Sequence, residues 1–132
     1  MQNAKLKGAA HGIIIMKENI IIDKTRAFSK RIVYLGKYLT EEKREFILSK
    51  QIVRSGTSIG ANVFEAQNGQ SKSDFASKMN IALKEATETV YWLIVLHDTE
   101  YITDKEYDSL YSDVNEIRNI LISICKTSYN NL

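Results

Sequence analysis

Proline does not occur once in the 132 residues, where ordinary usage would place about six or seven. Proline removes a backbone donor and clashes with the preceding helical turn. A chain without it, and with only six glycines, is suited to long uninterrupted helices. Cysteine is scarcer still. A lone Cys125 excludes an internal disulfide and any zinc site built on cysteines. Its place in an apolar helical stripe reads as a small buried hydrophobe, and such usage fits a reducing cytosol. No apolar run approaches the ~20 residues that span a bilayer. The stretch Gly12–Met16 is too short for a signal-peptide core and lacks an obvious small-residue cleavage site.

Signatures of catalysis are missing as well. A diiron bundle needs Glu-x-x-His pairs, and none occurs. The chain has two histidines: His11 lies in a Gly-Ala-Ala-His-Gly cluster, and His97 stands at the end of a helix as a satisfied or solvated residue. Glu65, Glu85 and Glu88 can face inward together, yet carboxylates alone make a poor transition-metal site. Nothing resembles a nucleophile elbow, a phosphate-cradling glycine loop or a dinucleotide fingerprint. The expectation is a protein with no catalytic residue, no cofactor and no metal.

What is present reads as one globular domain. Hydrophobic residues make up 44% and charged residues 26%, ordinary values for a packed chain. The net charge of +2 conceals an uneven distribution. Residues 17–66 carry ten Lys/Arg against six Asp/Glu, and residues 67–132 carry six against ten, so a basic half precedes an acidic one.

Periodicity places four helices. In the first, about Asn19 to Leu39, the residues Ile21, Thr25, Phe28, Ile32, Leu35 and Leu39 recur at steps of four and three, one buried face. Thr40 suits an N-cap for the second helix, about Glu41 to Gln67, whose stripe is Leu48, Ile52, Ser55, Ile59, Val63 and Ala66. Two glycines in its middle, Gly56 and Gly60, cost about 2 kcal/mol relative to alanine. The apolar spacing stays in phase across them, so they read as small residues that admit a close neighbour rather than as a loop. Gly69 is placed as a left-handed residue closing this helix. Ser71-Lys72-Ser73-Asp74 and Thr103-Asp104-Lys105-Glu106 fit capping boxes for a third helix, about Ser73 to Asp98, and a fourth. Phe75, Met79, Ala82, Ala86, Thr89, Leu93 and Leu96 line the third. Trp92, on a second stripe with Ile81, Glu85 and Glu88, is expected to be largely buried against helix two. Tyr107, Leu110, Val114, Ile117, Leu121 and Ile124 line the fourth. Short connections force antiparallel neighbours. The architecture expected is an all-α, up-and-down antiparallel four-helix bundle over 17–128, with a flexible N-terminal tail at 1–16 and a C-terminal tail at 129–132.

Two polar groupings stand out. Gln51, Arg54, Ser58, Asn62 and Glu65 on helix two, with Glu85 and Glu88 on helix three, form a candidate polar network or partner face. A hydrogen-bonded network that fixes helix register is the favoured reading, because buried polar groups must be paired; a binding cleft is the alternative. The second grouping is basic. Lys24 and Arg31, Lys30 and Lys37, and Lys43 and Lys50 are each seven residues apart and share a face, which makes them candidate phosphate contacts.

The segment 51–93 carries an ordered set of features: Gln51, Arg54-Ser55, Ser58-Ile59, Asn62-Val63, Glu65-Ala66, Gly69-Gln70-Ser71, Asp74-Phe75, Ile81-Ala82, Glu85-Ala86, Glu88 and Trp92-Leu93. It closely resembles the four-helix bundle proteins of the 23S ribosomal RNA intervening-sequence family, and the match extends more loosely through 17–50. The resemblance implies a bacterial cytosolic bundle that assembles as a ring of five subunits. It also implies a related branch, the accessory protein of diversity-generating retroelements, in which a basic pentamer partners a reverse transcriptase and nucleic acid. From these, the sequence reads as a non-enzymatic, self-assembling scaffold or RNA-associated adaptor in the cytoplasm, without membrane attachment. The alternative is an accessory protein that binds RNA or DNA, or a nucleic-acid enzyme, through the basic faces of helices one and two. In a ring the subunit contacts are heterologous, so the basic first half of one copy is expected near the acidic second half of the next.

Overall fold

The computed structural model describes residues 2–130, which form four α-helices and no strand. They are α1 (Gln2–Glu41), α2 (Leu48–Ala66), α3 (Lys72–Asp98) and α4 (Asp104–Asn130). Helix α1 packs on α2, α2 on α3, α3 on α4 and α4 back on α1, so each helix touches two neighbours around a shared centre. This is the all-α four-helix bundle that the periodicity requires.

The centre is the set of stripes read from spacing. Ile21, Thr25, Phe28, Ile32, Leu35 and Leu39 are all buried, as are Ile52, Ser55, Ile59, Val63 and Ala66 on α2. Met79, Ala82, Ala86, Thr89, Leu93 and Leu96 meet them from α3, and Leu110, Val114, Ile117, Leu121 and Ile124 from α4. Leu48, Phe75 and Tyr107, at the ends of their stripes, are half-buried. Each fully buried Leu, Ile or Phe contributes roughly 1.5–3 kcal/mol.

Trp92 is half-buried against this core rather than enclosed by it. Its indole needs a polar partner and finds one at the rim, where Nε1 donates to Glu88 Oε2 at 3.2 Å.

The glycines of α2 act as spacers. A Cβ on Gly56 would fall 2.8 Å from Ile32 Cγ2, and one on Gly60 would fall 3.3 Å from the Thr25 carbonyl oxygen. Gly36 makes the matching approach from α1, where a Cβ would strike Val53 Cγ2 at 2.5 Å. Helix α2 therefore runs unbroken through Gly56 and Gly60 because α1 occupies the space that side chains would need.

Element boundaries differ from expectation in physically interpretable ways. Helix α1 begins at Gln2, not near Asn19, so residues 2–16 continue the helix instead of standing apart from it. Helix α4 reaches Asn130, past the expected boundary at 128, and residues 131–132 of the C-terminal tail lie outside the described residues. Thr40 does not cap α2. Its hydroxyl donates back to the Gly36 carbonyl at 3.0 Å, and α1 continues to Glu41. The chain reverses at 42–47, where Arg44 takes a left-handed φ of 54°, and Glu45 accepts the Ser49 backbone N–H at 2.9 Å in place of a threonine cap. Gly69 is not left-handed either; the positive φ values fall on Arg44 and Glu100. The capping boxes hold better. Ser71 Oγ accepts from Asp74 N at 3.0 Å. At α4 the pairing is reciprocal: Thr103 Oγ1 accepts from Glu106 N, and Glu106 Oε1 accepts from Thr103 N.

Candidate functional site

The polar residues of α2 and α3 divide into a bridge and a local set. Arg54 reaches across to Glu85 Oε2 at 3.3 Å and also pairs with Glu88. Glu88 in turn accepts from Trp92 Nε1, so one guanidinium, two carboxylates and an indole are joined along the outside of the α2–α3 seam. Ser58 and Asn62 hydrogen-bond within α2, to the carbonyls of Arg54 at 2.6 Å and Ser58 at 2.8 Å. Glu65 pairs with Lys78 at 2.8 Å near the end of the seam. Gln51 is half-buried, and its side chain makes no hydrogen bond among the described residues. The fully buried polar contact of this seam lies elsewhere: the hydroxyls of Ser55 and Thr89 are 3.0 Å apart, with both residues at 0% exposure. Their positions in the apolar stripes concealed them, since a small hydroxyl at a core position signals nothing by spacing.

The basic residues of α1 also divide. Lys24 pairs with Glu116 at 2.9 Å. Arg31 pairs with Asp113 at 2.6 Å and donates to Ser109 Oγ at 2.9 Å. Lys17 donates to Ser123 Oγ at 2.5 Å. These three side chains lace α1 to α4, so the carboxylates that hold Lys24 and Arg31 belong to their own chain. Lys30, Lys37, Lys43 and Lys50 are exposed and have no carboxylate partner among the described residues. Lys37 lies over the Tyr34 ring and Lys43 over the Tyr38 ring.

A third feature was not singled out from sequence. The outer groove between α1 and α2 is lined by Val33, Gly36, Lys37, Phe46, Lys50 and Val53 around a cavity of about 510 Å³. A second cavity of about 300 Å³ between the same two helices is lined by Ile22, Arg26, Ser29, Gly60 and Phe64. The legible signal was Gly36, Gly56 and Gly60, small residues at which the two helices approach closely.

Isolated titratable groups complete the inventory. His97 Nε2 lies 2.6 Å from Asp104 Oδ1, and its ring stacks on Tyr107 at 4.5 Å. Burial pushes the Tyr107 hydroxyl above its usual range, helped by Tyr111, Asp108 and Asp98. Burial likewise pushes the Cys125 thiol up, which suppresses the reactive thiolate. Arg118 Nε is buried without a hydrogen bond among the described residues. No group of three or more His, Cys, Asp or Glu among the described residues is placed to hold a metal ion. No described helix is long and apolar enough to cross a membrane.

Comparison with known proteins gives the surroundings of this fold. A family profile described as 23S rRNA-intervening sequence protein matches residues 17–123. Among solved structures, one described as a protein with unknown function from the S23 ribosomal protein family of Bacteroides thetaiotaomicron VPI-5482 is 56% identical. The superposition has a TM-score of 0.82 and covers 83% of this chain and 98% of that one. Among curated proteins no match is found.

Proposed function

The chain belongs to the family of 23S rRNA-intervening sequence proteins, and from that premise we propose that it is a non-enzymatic, self-assembling bundle that serves as a scaffold or RNA-associated adaptor. The observation that carries this reading is the apolar surface that remains once the core is filled. Phe46, Ile47, Phe64 and Tyr91 are 59%, 76%, 68% and 57% exposed. Single exposed apolar residues are normal, but contiguous ones, as Phe46 and Ile47 are just before α2, mark places where proteins meet. A closed ring of identical copies, five by the family resemblance, covers such surface through heterologous contacts. Light scattering at micromolar concentration tests it. The expected mass is five times the 15.1 kDa of the chain; a monomer at that concentration refutes self-assembly.

A second reading has its own observation. Lys30, Lys37, Lys43 and Lys50 remain without carboxylate partners among the described residues, which supports a nucleic-acid accessory role of the reverse-transcriptase-partner type. Phosphate contacts release counterions, so affinity for RNA or DNA should fall steeply with salt. Replacing these four lysines by glutamine should flatten that dependence. Retention that is absent at low salt, or equal in the variant, removes this reading.

A further inference from the structure

Resting on the self-assembly reading above, we propose that the outer α1–α2 groove is the seat of a second copy of this chain, which lays its α3–α4 face into it. The groove is built between two helices. Ile22, Arg26, Ser29, Val33, Gly36 and Thr40 recur on α1 at steps of four and three; opposite them stand Val53, Gly60 and Phe64 on α2, with Phe46 in the connection just before it. These repeats place the two cavities along one side of the helix pair. The groove's walls are apolar and open to solvent, with Val33 at 41%, Phe46 at 59% and Phe64 at 68% exposure.

Of the cations lining the valley, Arg54 is paired with Glu85 and Glu88, whereas Arg26, Lys37 and Lys50 have no carboxylate partner among the described residues and outnumber Asp23, the carboxylate in the lining. Lys24 and Arg31, one helix face away, are already paired with α4. The groove therefore asks for an occupant that brings apolar side chains flanked by carboxylates.

The chain carries such a surface on the other side of the bundle. Tyr91 and Ile94, three residues apart on α3, are 57% and 40% exposed. Asp98 and Asp108, at the corner where α3 gives way to α4, are exposed and have no cation partner among the described residues. A nucleic-acid backbone fits the groove less well, because its phosphates would lie against Val33 and Phe64 with no apolar groups to cover them. Two unlike, complementary faces on one subunit are what a closed ring requires. The apolar contacts supply most of the affinity, and the charges mainly orient and accelerate encounter.

Two variants separate the possibilities. Val33→Glu with Phe64→Glu changes only exposed groove positions, and Tyr91→Lys with Ile94→Lys changes only the opposite face. Each should keep wild-type helicity by circular dichroism and run as a 15.1 kDa monomer in light scattering. Mixed in equal amounts, they should form a dimer and nothing larger, since one intact groove and one intact face remain between them. Should a glutamate pair unfold the chain, Lys37→Glu with Lys50→Glu provides the same test through exposed side chains and should weaken assembly most at low salt. A groove variant that keeps the wild-type oligomeric mass overturns the assignment while leaving self-assembly standing. A groove variant that keeps that mass but loses retention on RNA assigns the valley to nucleic acid and also overturns it. A wild-type protein that is monomeric removes the self-assembly reading and this inference with it.

Discussion

Along one side, α1 presents Ser29, Ile32 and Gly36 to Gly60, Gly56 and Val53 of α2. Along the other, it presents Lys17, Lys24 and Arg31 to Ser123, Glu116 and Asp113 of α4. The first seam is close because small residues remove the bulk between backbones, and it leaves a shallow apolar valley outside. The second seam is bridged by long charged side chains over a buried layer that includes Phe28 and Ile117. The basic half of the chain is thus two different surfaces. On its α4 side Lys24 and Arg31 are matched within the subunit, whereas on its α2 side Arg26, Lys37 and Lys50 have no carboxylate partner among the described residues. Net charge by segment does not distinguish these, whereas helix phase does.

The largest test of that contrast asks what holds the α1–α4 seam. If apolar packing beneath the ion pairs dominates, Phe28→Ala should destabilise by about 3–5 kcal/mol, the usual cost of truncating a buried phenylalanine. Phe28 is 1% exposed, so little relaxation is available. Urea unfolding with an unchanged m-value measures it. A loss below about 1 kcal/mol would assign the seam to its charges instead.

The close seam should respond in the opposite sense, to added volume. Gly56→Ala gains about 1 kcal/mol of helix propensity, but its Cβ would lie within 2.8–3.3 Å of three atoms of Ile32. Ile32 is fully buried and β-branched, so it has little room to turn aside. Overpacking costs about 1–3 kcal/mol, and the net expectation is a loss of about 1 kcal/mol. Adding Ile32→Val should return part of it. A stabilised Gly56→Ala would mean that the helices have slack and that the glycines are not spacers.

Much of this was legible beforehand. Heptad spacing located every core stripe because burial imposes a period that survives in sequence. Gly56 and Gly60 read correctly as packing residues because the apolar phase ran through them. Turns were harder. The left-handed positions went to Arg44 and Glu100, residues with no intrinsic preference for that conformation, while Gly69 kept an ordinary φ. Here the surrounding helices dictate the backbone and local propensity does not. The interhelical polar contacts were half-legible. Arg54, Glu85 and Glu88 carry charges that must find partners, and they find one another. Asn62 satisfies itself one turn back on its own helix, an outcome that spacing alone leaves open. The α1–α2 groove escaped notice because its walls are scattered single residues, joined only when two helices are laid side by side.

The smallest expected effect is the most diagnostic for the charged seam. Arg31 and Asp113 approach to 2.6 Å, with side chains 40% and 44% exposed. Partly solvated pairs of this kind contribute about 0–1 kcal/mol, because water screens the attraction and two flexible side chains must be held still. A double-mutant cycle with Arg31→Ala and Asp113→Ala should therefore give a coupling of roughly 0.5 kcal/mol at low ionic strength. In about 1 M salt the Debye length shrinks to about 3 Å, and the coupling should fall towards zero. Lys50→Ala, in the groove and without a carboxylate partner among the described residues, should leave subunit stability unchanged at both ionic strengths. A coupling above about 2 kcal/mol, or one indifferent to salt, would show that Arg31 and Asp113 are shielded from water. The contrast between the two sides of α1 would then lie in burial and not in pairing.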